Sequence, residues 1–145
     1  MSKAHIPLQI IGRRERIDLP DLGVSDVISK IDTGAFRTAL HCESCKVVQK
    51  ADGSEILETI FDLDGHGPKV FHFKKFSIKE VKSSFGQSET RYCIKTKLRI
   101  GGRDIRSEVT LTDRSGMKYQ VLIGRKTLLK KFLVDVNQIF VLGKH

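Results

Sequence analysis

Short apolar or alternating runs, each closed off by Gly, Asp, Asn, Pro or Ser, recur along the whole of this 145-residue chain. Runs of that length and punctuation suit strands far better than helices. They predict strands at Leu8–Ile11, Val27–Ile31, Cys45–Lys50, Glu55–Asp62, Lys69–Phe76, Thr90–Ile100, Ile105–Thr112, Val121–Ile123 and Gln138–Leu142. Asp52-Gly53 marks a tight hairpin turn, because Gly accepts the positive φ that such turns need. Only Arg125–Phe132 has helical spacing, with Leu128, Leu129 and Phe132 on one face. The pattern predicts one closed or sandwiched all-β domain with a single short helix near its C-terminal end. The length is that of one domain, and 39% hydrophobic residues is enough to build a core and argues against disorder.

One of these strands ends in an acid, in Ile31-Asp32-Thr33-Gly34-Ala35. Asp-Thr-Gly alone is a weak signal, since it also suits a strand-end turn in which Asp32 accepts backbone hydrogen bonds. A second strand end, Val121-Leu122-Ile123-Gly124-Arg125, opens the predicted helix. The two places echo each other. Gly12-Arg13 precedes Gly34 by 22 residues, and Gly102-Arg103 precedes Gly124 by 22. A duplicated supersecondary unit would give this spacing. In that alignment Asp32 stands opposite Leu122, so one half alone carries the acid.

An Asp-Thr-Gly loop followed much later by an apolar-apolar-Gly-Arg strand end and a helix resembles the retropepsin-like aspartic proteases. The segments IGRRERIDLPDLG, KIDTGA, TALH, SSFGQSETRYCIKTKLRIGG, VTLTDRSGMKYQVLIGR and FLVDVNQIFVLG resemble the bacterial RimB-like family. Its members are also called RimK-associated or ATP-dependent zinc proteases. The resemblance runs from Pro7 to Gly143, with one departure: Phe36 intervenes where the family reads D-T-G-A-R-T. It implies a retropepsin-like barrel over residues 1–145 and an aspartic endopeptidase with Asp32 as its catalytic carboxylate. Such hydrolysis needs two close carboxylates sharing a proton, one activating water and one polarising the scissile carbonyl. This chain has one Asp-Thr-Gly, so the pair requires a homodimer. By the resemblance, Thr33 bonds across to its twin. Gly34 lets backbone approach the carboxylate, and Ala35, Ile123 and Gly124 are expected to contact substrate. A mobile cover is expected at Val81–Tyr92, with Ser84, Phe85 and Gly86 at its tip over the substrate. The loop Asp64–Pro68 is the second candidate for that cover.

The chain has 26 basic and 17 acidic residues, a net charge of +9, which favours acidic partners. The resemblance points the same way. RimK-type ligases add glutamates to a ribosomal protein, so the expected substrate is an acidic, glutamate-rich tail of a ribosomal protein, and association with such a ligase is implied. A rival reading is a non-catalytic module on the same fold, docking an acidic partner or RNA. The intact Asp-Thr-Gly favours catalysis. The basic clusters Lys74-Lys75, Lys95–Arg99 and Lys130-Lys131 come without an RNA-binding motif and read as solvated faces. His41-Cys42-Glu43-Ser44-Cys45 holds a single C-x-x-C, a weak zinc signal, and no H-E-x-x-H occurs. Gly124-Arg125-Lys126-Thr127 has the end of a phosphate loop, but Tyr119 stands where its first Gly belongs. No metal and no cofactor are therefore expected. Three cysteines do not make a disulfide framework and suggest a reducing, cytoplasmic setting. No apolar run is long enough for a membrane helix.

Overall fold

A computed structural model describes residues 7–82 and 85–143. The chain is built from β1 (Gln9–Ile11), β2 (Arg14–Leu19), β3 (Val24–Ile31), β4 (Thr38–His41), β5 (Ser44–Gln49) and β6 (Glu55–Phe61). There follow β7 (Lys69–Phe73), β8 (Ser77–Lys82), β9 (Ser88–Ile100), β10 (Arg103–Thr112), β11 (Val121–Ile123), the one α-helix among the described residues, α1 (Arg125–Leu128), and β12 (Phe132–Val134). The main sheet runs β10-β4-β11-β3-β2-β9-β8, and a further β9–β10 pairing closes six of its strands into a barrel. Strand β8 is left at the edge, hydrogen-bonded to the outer half of the long β9. Strands β5, β6 and β7 form a separate antiparallel sheet, and β1 pairs in parallel with β12. The all-β, retropepsin-like architecture expected from the sequence is thus present.

Alternation drives the barrel. In β2 every second residue, Glu15, Ile17 and Leu19, points inward. Ile17 and Leu19 meet Leu40, Ile94, Leu98, Val109, Val121 and Ile123 in the core. The β5–β6 turn is the one expected: Gly53 has φ +86, and its N–H donates to the Lys50 carbonyl at 3.0 Å.

The structure departs from the expected elements most clearly at α1, at β7 and at residues 138–142. The helix stops at Leu128 instead of reaching Phe132. Leu129 is already extended, Lys130 takes a left-handed φ of +64, and Phe132 starts β12. Leu128 and Phe132 are buried, but Leu129 is exposed. The expected strand Lys69–Phe76 ends at Phe73, and Lys74–Phe76 forms a bend into β8. Residues 138–142 form no strand, because Phe140 has φ +53 and a carboxylate replaces a strand partner. That carboxylate belongs to Glu15, which is 1% exposed. It accepts hydrogen bonds from the backbone N–H of Gly12 (2.8 Å), Val141 (3.1 Å) and Leu142 (3.3 Å).

Glu15 therefore ties the C-terminal segment to the barrel. Glu15→Gln should destabilise the fold by about 2 kcal/mol, because its amide NH2 would face backbone donors that then lose their acceptor. Chemical denaturation of the two proteins checks this; equal midpoints would contradict it.

Candidate active site

The two sequence motifs meet at one end of the barrel. Strands β3 and β11 run in parallel, with Ile31 opposite Ile123, and the Asp32 N–H donates to the Ile123 carbonyl at 2.9 Å. The chain then turns at Thr33-Gly34. The Gly34 N–H donates to the Asp32 Oδ1 at 2.9 Å, and the Ala35 N–H to the Asp32 carbonyl at 3.2 Å. One carboxylate oxygen is thereby fixed by backbone, which sets the side chain's direction.

The start of α1 grips the other side of this loop. The Arg125 and Lys126 N–H groups donate to the Ala35 and Phe36 carbonyls, each at 2.8 Å, and the Arg125 guanidinium donates to the Thr33 carbonyl at 2.9 Å. Beneath them lies a buried hydroxyl chain. Thr127 Oγ1 is 2.6 Å from Thr38 Oγ1 and 2.8 Å from Ser107 Oγ, while Thr38 Oγ1 accepts the Gly124 N–H at 3.1 Å. A Cβ on Gly124 would lie 2.5 Å from both the carbonyl carbon and oxygen of Arg37. Gly124 is the residue that allows the two loops to touch.

Asp32, Gly34 and Ala35 line a cavity of about 540 Å³. Glu80, Val81 and Lys82 of β8 and Arg91 of β9 form another wall of the same cavity, so the β8–β9 hairpin stands at the carboxylate. At the end of that hairpin Ser84 lies outside the described residues, Phe85 is 91% exposed and Gly86 has φ +78. The loop Asp64–Pro68 is elsewhere: Asp64 and His66 line a different cavity with Arg14, Arg16 and Lys69. Ile123 and Gly124, expected to contact substrate, are buried, and their backbone supports the Asp32 loop. Side chains alternate along β11, so it is Leu122 that faces the cavity. Thr33 is exposed, and among the described residues its hydroxyl has no hydrogen-bond partner.

The cavity is basic. Arg37, Lys82, Arg91, Arg114 and Arg125 line it against the carboxylates of Asp32 and Glu80. Burial pushes the Arg114 guanidinium below its ordinary value, Arg91's charge adds to this, and Asp32 opposes both. Arg37 Nε is buried and has no hydrogen-bond partner among the described residues. Phe36, where the sequence departs from the family pattern, lies under three cations: Arg37 at 5.3 Å, Arg125 at 5.7 Å and Lys126 at 5.9 Å from its ring centre. Nothing in the linear sequence links Arg91 and Arg114 to Asp32, and only the folded chain brings them together.

The Cys-His segment is occupied by structural contacts. Its backbone N–H makes Arg114 a donor to His41 Nδ1 at 2.8 Å, so the other ring nitrogen carries the proton toward Glu43 Oε1 at 2.9 Å. The Cys42 thiol donates to the Ser44 carbonyl at 2.9 Å, and the thiol of Cys45 donates to the Cys42 sulfur, drawing Cys42 below its ordinary value. Among the described residues no three His, Cys, Asp or Glu side chains cluster as a metal site. None of the described helices is long and apolar enough to cross a membrane.

A closed barrel with an Asp-Thr-Gly loop locked against an Ile-Gly-Arg strand end defines the retropepsin-like class. Residues 10–145 match the family described as "RimB-like: Retropepsin-like aspartic endopeptidase RimB", and the chain belongs to it. The chain is similar to a "Probable alpha-L-glutamate ligase" of Shewanella pealeana, 29% identical over 93% of this chain and 30% of the relative. It is likewise similar to one of Parasynechococcus marenigrum, 29% identical over 92% of this chain and 29% of the relative. It thus spans about 30% of the length of the curated relatives it matches. A crystal structure of the Legionella pneumophila protein Lpg0085, of unknown function, shares the fold. It has a TM-score of 0.71 and 24% identity, over 92% of this chain and 98% of that one.

Gly124→Ala tests the contact between the loops. It should destabilise the protein by about 2–3 kcal/mol, since neither backbone can give way without breaking the loop's hydrogen bonds. Thermal unfolding checks this, and a variant as stable as wild type would show that the loops are not in contact.

Proposed function

We propose that the protein is an aspartic endopeptidase whose active site forms when two chains bring their Asp32 carboxylates together across a twofold axis. The observation that carries this reading is the Asp32 loop itself: a carboxylate fixed by Gly34, held by Ile123 and Arg125, and facing a cavity walled by the β8–β9 hairpin. One chain supplies one such acid. Two carboxylates a few ångströms apart share a proton, and the apparent pKa values then belong to the pair. The ionised member takes a proton from water as it attacks the scissile carbonyl, and the protonated member hydrogen-bonds the carbonyl oxygen as negative charge develops there. The proton then passes to the leaving amine. In this reading the exposed Thr33 hydroxyls bond across the axis, and Ala35 and Leu122 contact the peptide. The β8–β9 hairpin, with Phe85 and Gly86 toward its end, clamps the peptide in extended form.

The substrate is an acidic peptide. The cavity's five cations against two carboxylates support this, as do the buried, unpartnered Arg37 Nε and the partly desolvated guanidinium of Arg114. Relatives named as probable alpha-L-glutamate ligases add a chemical hint, because such a ligase makes glutamate-rich chains. A glutamate tail on a ribosomal protein, laid down by a RimK-type ligase, is the substrate this reading favours. A cytoplasmic location follows from that choice of substrate.

Asp32→Asn should abolish hydrolysis of glutamate-rich peptides while leaving the melting temperature and the association state unchanged, since the isosteric amide keeps shape but cannot share the proton. Loss of activity exceeding about a hundredfold is expected. Full activity in Asp32→Asn would sink the mechanism, and a wild type that binds but hydrolyses no such peptide would leave the docking-module reading.

A further inference from the structure

Three basic clusters far apart in the sequence converge on one side of the barrel. Lys74 and Lys75 in the β7–β8 bend, Lys95 on β9 and Arg106 on β10 line a groove of about 690 Å³. An adjoining hollow shares Lys95 and Arg106 and adds Lys126 and Lys131. The one carboxylate among these lining residues, Glu108, already forms ion pairs with Lys126 and with Lys79. The side chains of Lys74, Lys75, Lys95 and Arg106 have no ion pair or hydrogen bond among the described residues. Some cations elsewhere are matched, Arg16 with Asp26, Lys46 with Glu58 and Arg99 with Asp104, while others such as Lys30, Lys50 and Lys97 form no ion pair among the described residues. The groove gathers four unpaired cations along one surface.

The groove adjoins the Asp32 cavity along three shared strands. On β9, Arg91 lines the cavity and Cys93 the groove. On β10, Thr110 lines the cavity and Glu108 the groove. On β8, Ser77 belongs to the groove and Glu80–Lys82 to the cavity. Two residues along a strand are about 7 Å, so an extended chain leaving the cavity would reach the groove within a few residues.

We propose that this groove is an exosite for an acidic polypeptide, holding carboxylates several residues away from the scissile bond; the proposal rests on the acidic-peptide reading of the Asp32 site. Charge complementarity selects a polyanion. The aromatics select peptide over single-stranded RNA. Phe73 stacks on Phe71, Phe76 meets Tyr92 edge-on, and all four rings pack against the core, so each half-buried ring already has a partner within the protein. RNA binding of this kind needs aromatic faces left open for bases. Lysines on flexible stems instead suit a chain of carboxylates without fixed register.

The test separates binding from turnover. In full-length Asp32→Asn protein, fluorescence anisotropy is measured with labelled oligoglutamates of about four and about twelve residues, the shorter spanning the cavity and the longer reaching the groove. The longer peptide should bind about tenfold more tightly at low salt. Adding Lys74→Glu, Lys75→Glu and Lys95→Glu should remove that advantage and leave the shorter peptide's affinity unchanged; a Lys→Gln version of the same triple guards against misfolding from charge reversal. In the active protein the triple should raise KM for the longer peptide with kcat unchanged. Equal affinity for both lengths, or equal loss of both in the triple, would overturn the exosite. Tighter binding of a single-stranded RNA of matching length would overturn it in favour of a nucleic-acid surface. Length-dependent binding without cleavage of any glutamate peptide by wild type would remove the peptidase reading alone, and cleavage without length dependence would remove the exosite alone.

Discussion

Between Gly124 and the Arg37 carbonyl there is no room for a methyl group: a Cβ would sit 2.5 Å from that carbonyl's carbon and oxygen. That contact sets the rest of the site. It lets the Asp32 N–H reach the Ile123 carbonyl and the first turn of α1 reach the Ala35 and Phe36 carbonyls. It also sets Thr38 Oγ1 under the Gly124 N–H, at the head of a buried chain of hydroxyls through Thr127 and Ser107. A short loop between strands would ordinarily be mobile. Here its backbone polar groups are taken up by a neighbouring strand end, so the Asp32 side chain inherits the stiffness of the barrel.

Much of this was legible beforehand because it depends on short-range rules. Val121–Ile123 reads as a strand and is one, and the Asp52-Gly53 turn falls where the sequence puts it. The Asp-Thr-Gly and Ile-Gly-Arg motifs were each visible, but that their strand ends lie side by side is seen only in the folded chain. What failed depends on contacts between distant residues. Strand β4, Thr38–His41, is buried at every position and shows no alternation to read. Residues 138–142 look like a strand, yet their N–H groups answer to Glu15, a charged residue that no pattern places inside a core. The helix was overextended because Leu128 and Phe132 are both buried, but the latter faces its core from a strand.

Charge shows the same division. The sequence fixes a net +9 and three basic clusters, but not where they lie. Folding sorts them. Arginines drawn from the β3–β4 loop, β9, the β10–β11 loop and the start of α1 surround Asp32, while lysines from the β7–β8 bend, β9 and the segment after α1 gather in the neighbouring groove. Arginine, with its planar fork, predominates where carboxylates would be held in fixed geometry, with Lys82 beside it, and lysine predominates where they would be held loosely, with Arg106 beside it. A polyanion approaching this side of the molecule meets both in succession.

The central claim is that two chains share one catalytic pair, and the most direct measurement is a mixing series. Wild type and Asp32→Asn protein are combined at constant total concentration, allowed to exchange, and assayed on a glutamate-rich peptide. If each active site needs an Asp32 from both chains, the rate falls as the square of the wild-type fraction, so that half wild type gives about a quarter of the activity. A rate that falls in direct proportion to the wild-type fraction would mean that each chain works with its own Asp32 alone, and would contradict the account.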